Sequence, residues 1–508
     1  MLDNRKTRIY ASLYFLGNIV ENGKRKIFFV GLLILLIGMN LYKLRYASGF
    51  AANWDTVDFS LALDEFNLLE MQPHFPGYPY FILGGMIVHF YIENPSLALS
   101  VFNGLMFMLS AIPLYLIARR TFSEINSLLC VIFIHSFSYV LLLTAQPMSE
   151  AAALAVIWWY IWGIFVAYER KSLLFKMIPL FFYSILLGTR LSYIMFGIGI
   201  IWLWWDELKS YQGKERINRI SLQIIAAISF QLIWVMALII SEGSVENFLN
   251  IAVGFTNGHF SDWGGGVTAE ETPILKRIGI LIFYNILWTG LFAQSYVSAA
   301  VYIAFFLYLL LKLKERSLHV SYSFVLTLML GSYFLWALFA QNIDKPRHIA
   351  PIIIIGGYLL FHVLIGKQQS KLGYIMLTML IAVNISVGFK LVKIQNGEVP
   401  ATYQLARYLE EIDGDFIVYT WEETRVMEYL QVSYDHKRVQ TYDYFLQDIS
   451  YYNNDTIYLT SFVLSGFEKQ GIDLSNQVEE VATFRSSELV DPVYFEIRLY
   501  KWKNNDLE

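Results

Sequence analysis

Residues 53–81, NWDTVDFSLALDEFNLLEMQPHFPGYPYF, form an acidic, proline-closed segment between two apolar stretches. The segment carries five carboxylate side chains and no Lys or Arg. Two of the acids, Asp55 and Asp58, are spaced i, i+3, which places them on one face of a helix. Its end, PHFPGYP at 73–79, is a rigid connector, because proline fixes its own φ and restricts the residue before it. Whether this segment is a loop between two membrane spans depends on the neighbouring apolar stretches.

The composition of the whole chain is that of a multi-pass membrane protein. Of 508 residues, 56% are hydrophobic and only 16% are charged, and the mean hydropathy is positive. A soluble chain of this length carries roughly a quarter charged residues. Repeated apolar runs of about 20 residues therefore predict transmembrane helices. The single cysteine, Cys130, excludes an intramolecular disulfide.

Eleven apolar runs predict membrane spans. They cover approximately residues 27–44, 97–117, 124–144, 149–167, 174–188, 191–206, 219–240, 294–313, 321–340, 348–365 and 374–389. The N-terminus is predicted to be cytoplasmic, so that the loops rich in Lys and Arg are all cytoplasmic, while the loops 45–96 and 241–293 are outside. Two further apolar segments, 78–92 and 274–294, are predicted to lie along the outer membrane surface. The sequence thus predicts a multi-pass protein of the plasma or inner membrane whose C-terminus lies outside the cell.

The composition changes after Lys393. Helical patterns (ATYQLARYLEEI, EETRVMEYL) there alternate with strand patterns (DFIVYT, RVQTY, TIYLTSF, YFEIRLYKW). We predict two domains, a polytopic membrane domain over residues 1–394 and a small extracytoplasmic α/β domain over residues 395–508. About 110 residues are enough for such a domain to hold a modest core.

Carboxylates beside a membrane are costly to desolvate, so they are candidates for chemistry. Asp55 can act as a general base on an acceptor hydroxyl; the alternative is that Asp55 and Asp58 lie on an exposed helix and face water. Glu150, at the outer end of the run 149–167, either adds an acid to the same cavity or only complements the helix dipole. His74 either binds a phosphate or positions an acceptor, unless the bend around it merely starts the next helix.

Cations at the outer ends of predicted spans complement these acids. Arg190 in GTRLSY and Arg347-His348 in DKPRHIAP are candidates to bind phosphate, which guanidinium binds in a bidentate manner; the alternative is that they extend to the lipid headgroups. The glycine-rich loop 256–273, which contains His259, is typical of a binding loop or lid. The sequence holds no Walker motif, no HExxH, no cysteine-based metal site and no basic patch typical of nucleic-acid binding.

In combination, these features resemble the GT-C superfamily of glycosyltransferases. The resemblance rests on an outer loop after the first span that begins WDTVDF and ends PHFPGYP, a long outer loop after the seventh span, an outer PRH motif and a C-terminal α/β domain. The first loop is similar to that of the branch with protein O-mannosyltransferases and the aminoarabinose transferase of lipid A. That branch carries a D-x-x-E or D-E pair followed by H-P-P-x-x-P, so Asp58 and Phe75 depart from its pattern.

The resemblance implies a bacterial cell-envelope enzyme that moves a sugar from a polyprenyl-phosphate donor to an acceptor hydroxyl, with inversion, on the outer face of the membrane. Asp55 is implied to be the general base, assisted by Asp58. Glu150 and His74 are implied to position the acceptor, which is a glycan, lipid or protein, or a divalent metal ion if one is used; no other cofactor is implied. The cations implied to neutralise the donor phosphate are Arg347, Arg190, His348 and Lys276.

Two other functional classes stay open from the sequence. A flippase-type transporter of lipid-linked glycans would place charges near the bilayer midplane, whereas the predicted span interiors are nearly uncharged. A lipid-linked glycan polymerase or ligase of another fold also uses an outer loop, but its key basic residues would lie in later outer loops.

Overall fold

The computed structural model describes residues 3–263, 265–268, 272–312, 320–365, 370–452 and 456–503. A bundle of helices precedes a small α/β region that packs on one end of it. The helices of the bundle are α1 (Asp3–Arg45), α2 (Trp54–Leu61), α3 (Pro79–His89), α4 (Pro95–Leu109), α5 (Ala111–Ala118), α6 (Glu124–Ser136), α7 (Ser138–Leu143), α8 (Ser149–Arg170), α9 (Leu173–Thr189), α10 (Ile198–Ser210), α11 (Gly213–Ser241), α12 (Val245–Gly258), α13 (Ile274–Gly279), α14 (Tyr296–Lys312), α15 (Val320–Ala340), α16 (Ala350–Ile365) and α17 (Lys371–Gly397). Short 3-10 helices at Leu191–Gly197 and Pro346–Ile349 precede α10 and α16, and π-helices follow α12 (His259–Trp263) and α13 (Ile280–Leu291).

The helices confirm the class of a multi-pass membrane protein. Among the described residues, eight helical stretches are long and apolar enough to cross a membrane, and four shorter apolar helices accompany them. Within the described residues the predicted spans fall largely on helical structure. The run 97–117 breaks at Ser110 into α4 and α5, the run 124–144 breaks at Phe137 into α6 and α7, and the run 191–206 begins as a 3-10 helix. The most enclosed of the eight long stretches is α8, with 78% of its apolar window buried.

The two ends of the bundle differ in charge. At one end, the basic loops form ion pairs with acids at the helix ends, as Arg120 does with Glu169 (2.6 Å) and Arg219 with Glu207 (2.6 Å). The other end, which we call the site end, carries α2, the connection between α15 and α16, and the α/β region. The predicted outer loops therefore do meet at one end of the bundle.

The apolar helix Ile274–Leu291 lies along the site end. It is long enough to cross a bilayer. However, Arg277 near its start donates to the carbonyl of Leu338 at the end of α15 (2.6 Å), and Tyr284 in its middle donates to Glu488 of the α/β region (2.7 Å). Both partners belong to the site end, so these contacts agree with the prediction of a surface helix.

The segment 78–92 forms the 11-residue helix α3. A helix of this length rises roughly 16 Å, about half of the hydrocarbon thickness. It packs on α4 and α9 and remains close to the first loop, since His89 at its end lies 3.2 Å from Asp64. The prediction that this segment does not span the membrane agrees with these contacts.

The α/β region contains a five-stranded sheet of order β2-β1-β3-β5-β4. Its elements are α18 (Ala401–Glu410), β1 (Phe416–Thr420), α19 (Glu423–Leu430), β2 (Asp435–Arg438), α20 (Tyr442–Ile449), β3 (Thr456–Thr460), α21 (Ser461–Lys469), β4 (Val478–Arg485) and β5 (Glu496–Trp502). Strands β2, β1 and β3 are parallel, and β5 is antiparallel to both β3 and β4. Because buried side chains cover both faces of the sheet, this region holds a core of its own.

One strand prediction for this region was wrong, and one strand was missed. The pattern RVQTY predicted a strand over 438–442, but β2 ends at Arg438 and α20 begins at Tyr442. Strand β4 was not predicted, because it lies at the edge of the sheet and is largely exposed, with a bulge between Glu480 and Ala482 that interrupts its alternation.

Candidate active site

Helix α2 carries the paired acids of the first loop. The Asn53 side chain accepts a hydrogen bond from the Thr56 backbone N–H (3.2 Å), and the Thr56 hydroxyl accepts one from the Asn53 N–H (3.0 Å). This reciprocal cap fixes the first helical turn, where a carboxylate is also favoured by the helix dipole. Asp55 lies in this turn with 27% of its side chain exposed, whereas the side chain of Asp58 is fully buried. The two acids therefore meet different surroundings although they lie three residues apart.

Asp55 faces two cations from the connection between α15 and α16. Its Oδ2 lies 2.5 Å from Arg347 Nη2 and 4.0 Å from Lys345 Nζ. Burial alone would raise the pKa of Asp55, but Lys345 and Arg347 outweigh burial and hold that pKa well below its ordinary value. Asp55 is thus an ionised, paired carboxylate in this structure.

Glu150 holds two guanidinium groups side by side. It lies in the first turn of α8, its side chain is fully buried, and its Oε1 lies 3.0 Å from Arg190 Nη2 and 2.8 Å from Arg347 Nε. Arg190 also donates from Nη1 to Ser149 Oγ (2.8 Å), and its Nη2 lies 3.2 Å from His348 Nδ1. A fully buried carboxylate needs such partners, so Glu150 gathers the two arginines at one point.

Asp58, near the start of the first loop, contacts both the end of that loop and the α/β region. Its Oδ2 lies 2.9 Å from His74 Nδ1, and its Oδ1 accepts a hydrogen bond from Arg425 Nε of α19 (2.9 Å). His74 Nε2 in turn lies 3.0 Å from the Tyr78 hydroxyl. Burial raises the pKa of Asp58, although His74 and Arg425 act in the opposite direction. Both oxygens of Asp58 are therefore occupied by cations or hydrogen-bond donors of the protein itself.

A cavity of about 290 Å³ opens beside Asp55. At its polar end lie Asp55, Lys345, Arg347 and His348, and its walls are largely aromatic, with Phe59, Phe75, Phe255, Phe260 and Trp336. An apolar groove of about 520 Å³ lies next to it, between the segment 194–204 and helix α11. Ile194 lines both the cavity and the groove, so the two adjoin. Together they suit a ligand with a charged head and a long apolar tail.

The fold recurs in solved structures of ArnT from Cupriavidus metallidurans. The apo state aligns with a TM-score of 0.54 and 8% identity, over 93% of this chain and 98% of ArnT. The structure bound to undecaprenyl phosphate aligns with a TM-score of 0.53 and 8% identity, over 93% of this chain and 97% of ArnT. This chain has the GT-C fold. At such low identity the likeness concerns the fold alone.

An oligosaccharyltransferase of Archaeoglobus fulgidus aligns less well with this GT-C chain, with a TM-score of 0.49 and 11% identity over 85% of this chain and 69% of that one. No family model and no curated protein matches the sequence. The functional argument for this GT-C fold therefore depends on its own residues.

The structure brings most of the predicted site residues together at the site end of the GT-C bundle. Those that lie in or directly behind the cavity are Asp55, His74, Glu150, Arg190, Arg347 and His348. Asp58 lies beneath this group and does not line the cavity. Lys276, predicted to bind the donor phosphate, is exposed and also does not line it. Its neighbour Arg277 is the buried residue of that helix and donates to the carbonyls of Gly265 (2.8 Å) and Gln341.

Three residues of the site were not predicted. Lys345 lies in the same DKPRHIAP motif as Arg347, so its basic charge in that motif was the available signal. Tyr78 lies in the predicted connector and lines the cavity. Arg425 belongs to a helix of the α/β region, and nothing in its local sequence indicates that it reaches the first loop. Of the predicted binding loop 256–273, residues 264 and 269–271 lie outside the described residues, while His259 lines the cavity.

The acids of the site do not fit a divalent metal ion in this arrangement. Among the described residues, no group of three or more His, Cys, Asp or Glu side chains is placed to hold one. Asp55 and Glu150 face guanidinium groups, and both oxygens of Asp58 are occupied. We therefore derive no step through a metal ion.

Proposed function

We propose that this chain is a membrane glycosyltransferase that moves a sugar from a polyprenyl-phosphate donor to an acceptor hydroxyl, with inversion and with Asp55 as the general base. The observation that carries the proposal is a cavity with one charged end, adjoined by an apolar groove, because a polyprenyl-phosphate sugar is a charged head on a long apolar chain. ArnT, which shares the fold, was solved with undecaprenyl phosphate, a lipid of this class.

The charge of the site supports a monophosphate donor. Three cations (Arg190, Lys345 and Arg347) and two carboxylates (Asp55 and Glu150) leave one net positive charge, since three minus two is one. A lipid-linked sugar monophosphate is a phosphodiester with a single negative charge, which this site balances. A diphosphate donor carries more negative charge than these residues neutralise.

The same ion pairs suggest how the base is released. In the structure Arg347 is paired with Asp55. When the donor phosphate binds Arg347 and Lys345, Asp55 loses its cationic partners, and its pKa rises toward a value suited to a base. Asp55 then takes the proton of the acceptor hydroxyl, the hydroxyl oxygen bonds to the anomeric carbon, and the bond from that carbon to the phosphate oxygen breaks. The guanidinium groups of Arg190 and Arg347 stabilise the departing polyprenyl phosphate.

The acceptor side of the site faces the α/β region. A smaller cavity of about 50 Å³ lies between the bundle and this region, and it shares Lys345 and Arg347 with the first cavity. Asn53 and Asp491 also line it. This placement lets an acceptor hydroxyl of a glycan, lipid or protein approach Asp55 from one side while the donor lies on the other.

The orientation in the membrane is part of the proposal. The ion-paired basic loops lie at the end of the bundle opposite the site. By the positive-inside rule we expect that end to be cytoplasmic, with the site and the α/β region on the outer side of the plasma or inner membrane. The GT-C fold argues against a glycan polymerase or ligase of another fold.

The proposal is tested by binding and transfer with the full chain in lipid nanodiscs. Undecaprenyl phosphate serves as the binding probe, and lipid-linked sugars extracted from bacterial membranes serve as donors. Arg347→Gln should weaken probe binding about 10- to 100-fold, because it removes a charge-assisted contact worth about 1.5–3 kcal/mol. Arg407→Gln, at an exposed position of α18, is the control. Equal binding by all three proteins, or no sugar transfer by the wild type, would contradict the proposal.

A further inference from the structure

Arg425 reaches from the α/β region into the first loop of the bundle. Its Nε donates to Asp58 Oδ1 (2.9 Å) and its Nη2 to the carbonyl of Glu70 (3.0 Å). The guanidinium carbon lies 5.6 Å from the centroid of the Trp54 ring, and Nη1 is held by Glu428 of the same helix (3.0 Å). Only 12% of the Arg425 side chain is exposed. One guanidinium thus contacts the start of α2, the middle of the loop and the buried acid.

Asp58 extends this connection to the end of the loop. The oxygen that Arg425 leaves free lies 2.9 Å from His74, and the other ring nitrogen of His74 lies 3.0 Å from the Tyr78 hydroxyl. His74 and Tyr78 both line the cavity beside Asp55. The chain from Arg425 to Tyr78 therefore ties α2 to the connector 73–79 on the wall of the site.

The α/β region, which carries Arg425, also contacts the first loop through residues other than Arg425. The Tyr403 hydroxyl accepts from the Ala51 N–H (3.1 Å), and Thr402 Oγ1 donates to the Ala52 carbonyl (3.0 Å). Val57 of α2 and Val426 of α19 are buried in one hydrophobic cluster with Tyr403. Since these contacts remain when the guanidinium is removed, a variant at position 425 should keep the α/β region in place.

We propose that Arg425 is a positioning residue for the transferase site. Acting through Asp58, it fixes the orientation of α2 and of the connector 73–79, so that Asp55 and His74 face the cavity. In this role Asp58 holds His74 and Arg425 in place, and it does not contact the reacting atoms. The catalytic part of this inference rests on the proposed function, whereas the ordering of the loop does not.

The ordering of the loop can be measured without any substrate. Cys130, the only cysteine of the sequence, is fully buried, so a maleimide spin label reacts only with a cysteine introduced at Leu69, a residue that is 70% exposed. The label should become more mobile in Arg425→Ala and should be unchanged in Arg407→Ala, an exposed arginine of α18. Unchanged mobility in Arg425→Ala would overturn the inference whatever reaction the protein catalyses.

The catalytic consequence is measured by kinetics and pH dependence. We expect Arg425→Ala to lower kcat at least tenfold with the donor KM changed less than threefold, and Arg425→Lys to recover part of the loss. The titratable groups facing the pair are His74, which contacts Asp58, and Glu428, which contacts Arg425. Because Arg425 lowers the pKa of Asp58, its removal should move the acid limb of the activity profile to higher pH.

The shift of the acid limb must disappear when Asp58→Asn is combined with Arg425→Ala. A higher donor KM with unchanged kcat, or an unmoved acid limb, would overturn the positioning role. If the wild type transfers no sugar while the label responds to Arg425→Ala, the proposed function fails and the ordering of the loop by Arg425 is upheld.

Discussion

Asp55→Asn should change catalysis and donor binding in opposite directions. Asn has almost the same size as Asp, and the helix cap formed by Asn53 and Thr56 remains, so the variant should fold and insert normally. It cannot take a proton from an acceptor hydroxyl. Loss of a general base costs about 10²- to 10⁴-fold in rate. We expect kcat to fall by that factor.

Donor binding should become tighter in the same variant. Asp55 competes with the donor phosphate for Arg347, which lies 2.5 Å from it, and for Lys345, which lies 4.0 Å from it. Two unit charges 4 Å apart interact by about 4 kcal/mol at an effective dielectric constant near 20. Since 27% of the Asp55 side chain is exposed, solvent screening reduces the net value to about 1 kcal/mol. Release of this competition corresponds to roughly fivefold tighter binding of undecaprenyl phosphate.

Both quantities can be measured on the same nanodisc preparations, with the Kd for undecaprenyl phosphate from native mass spectrometry and kcat from sugar transfer. Asp64→Asn is the matched control, because Asp64 lies on the same loop with 66% of its side chain exposed. A variant at Asp55 that retains full turnover would refute its role as base. Weaker phosphate binding by the variant would refute the competition for Arg347.

Three further predictions address stability, the lipid groove and pH. Glu150→Gln leaves the buried guanidinium of Arg190 and the largely buried one of Arg347 without their shared anion, so the free energy of unfolding should fall by about 3 kcal/mol and the melting temperature with it. Glu124→Gln, in the exposed first turn of α6, should change neither. Ile228→Trp on α11 narrows the apolar groove and should raise the KM for long-chain donors relative to short-chain ones; Ile225→Trp, on the same helix but not lining the groove, should not. Neighbouring cations hold the pKa of Asp55 below its ordinary value, so its ion pair stabilises the fold at neutral pH and is lost only as pH falls through the lowered folded pKa. The difference in melting temperature between wild type and Asp55→Asn should therefore persist down to about pH 4, and its disappearance near pH 6 would contradict this assignment.

The sequence was sufficient to predict the helices of the bundle. Apolar runs of membrane length form helices because the backbone must satisfy its own hydrogen bonds in lipid. The alternation of loops rich and poor in Lys and Arg predicted which loops lie at the same end, and the contact between Asp55 and Arg347 agrees with that prediction. Length and flanking charge also predicted that 78–92 and 274–294 lie along the surface. Strand β4 was missed because an exposed edge strand leaves little apolar alternation.

The sequence alone left the roles of individual charges undecided. Lys276 and Arg277 are adjacent and both basic, but successive helical residues point about 100° apart, so only one of them is buried at the site end. The spacing of Asp55 and Asp58 did not distinguish them, and only the resemblance singled out Asp55 as the base. Their difference arises from Arg347 and Arg425, which approach α2 from two distant parts of the chain.

The sequence by itself determined the membrane class, the helices and the end of the bundle where the acids and cations gather, because hydrophobic length and loop charge are local properties of the chain. Only the tertiary structure decided which acid faces the cavity and which is held by the α/β region. Burial and ion pairing set the state of a carboxylate, and both depend on residues that are far away in sequence. Asp55 and Asp58, identical and three residues apart, differ for that reason.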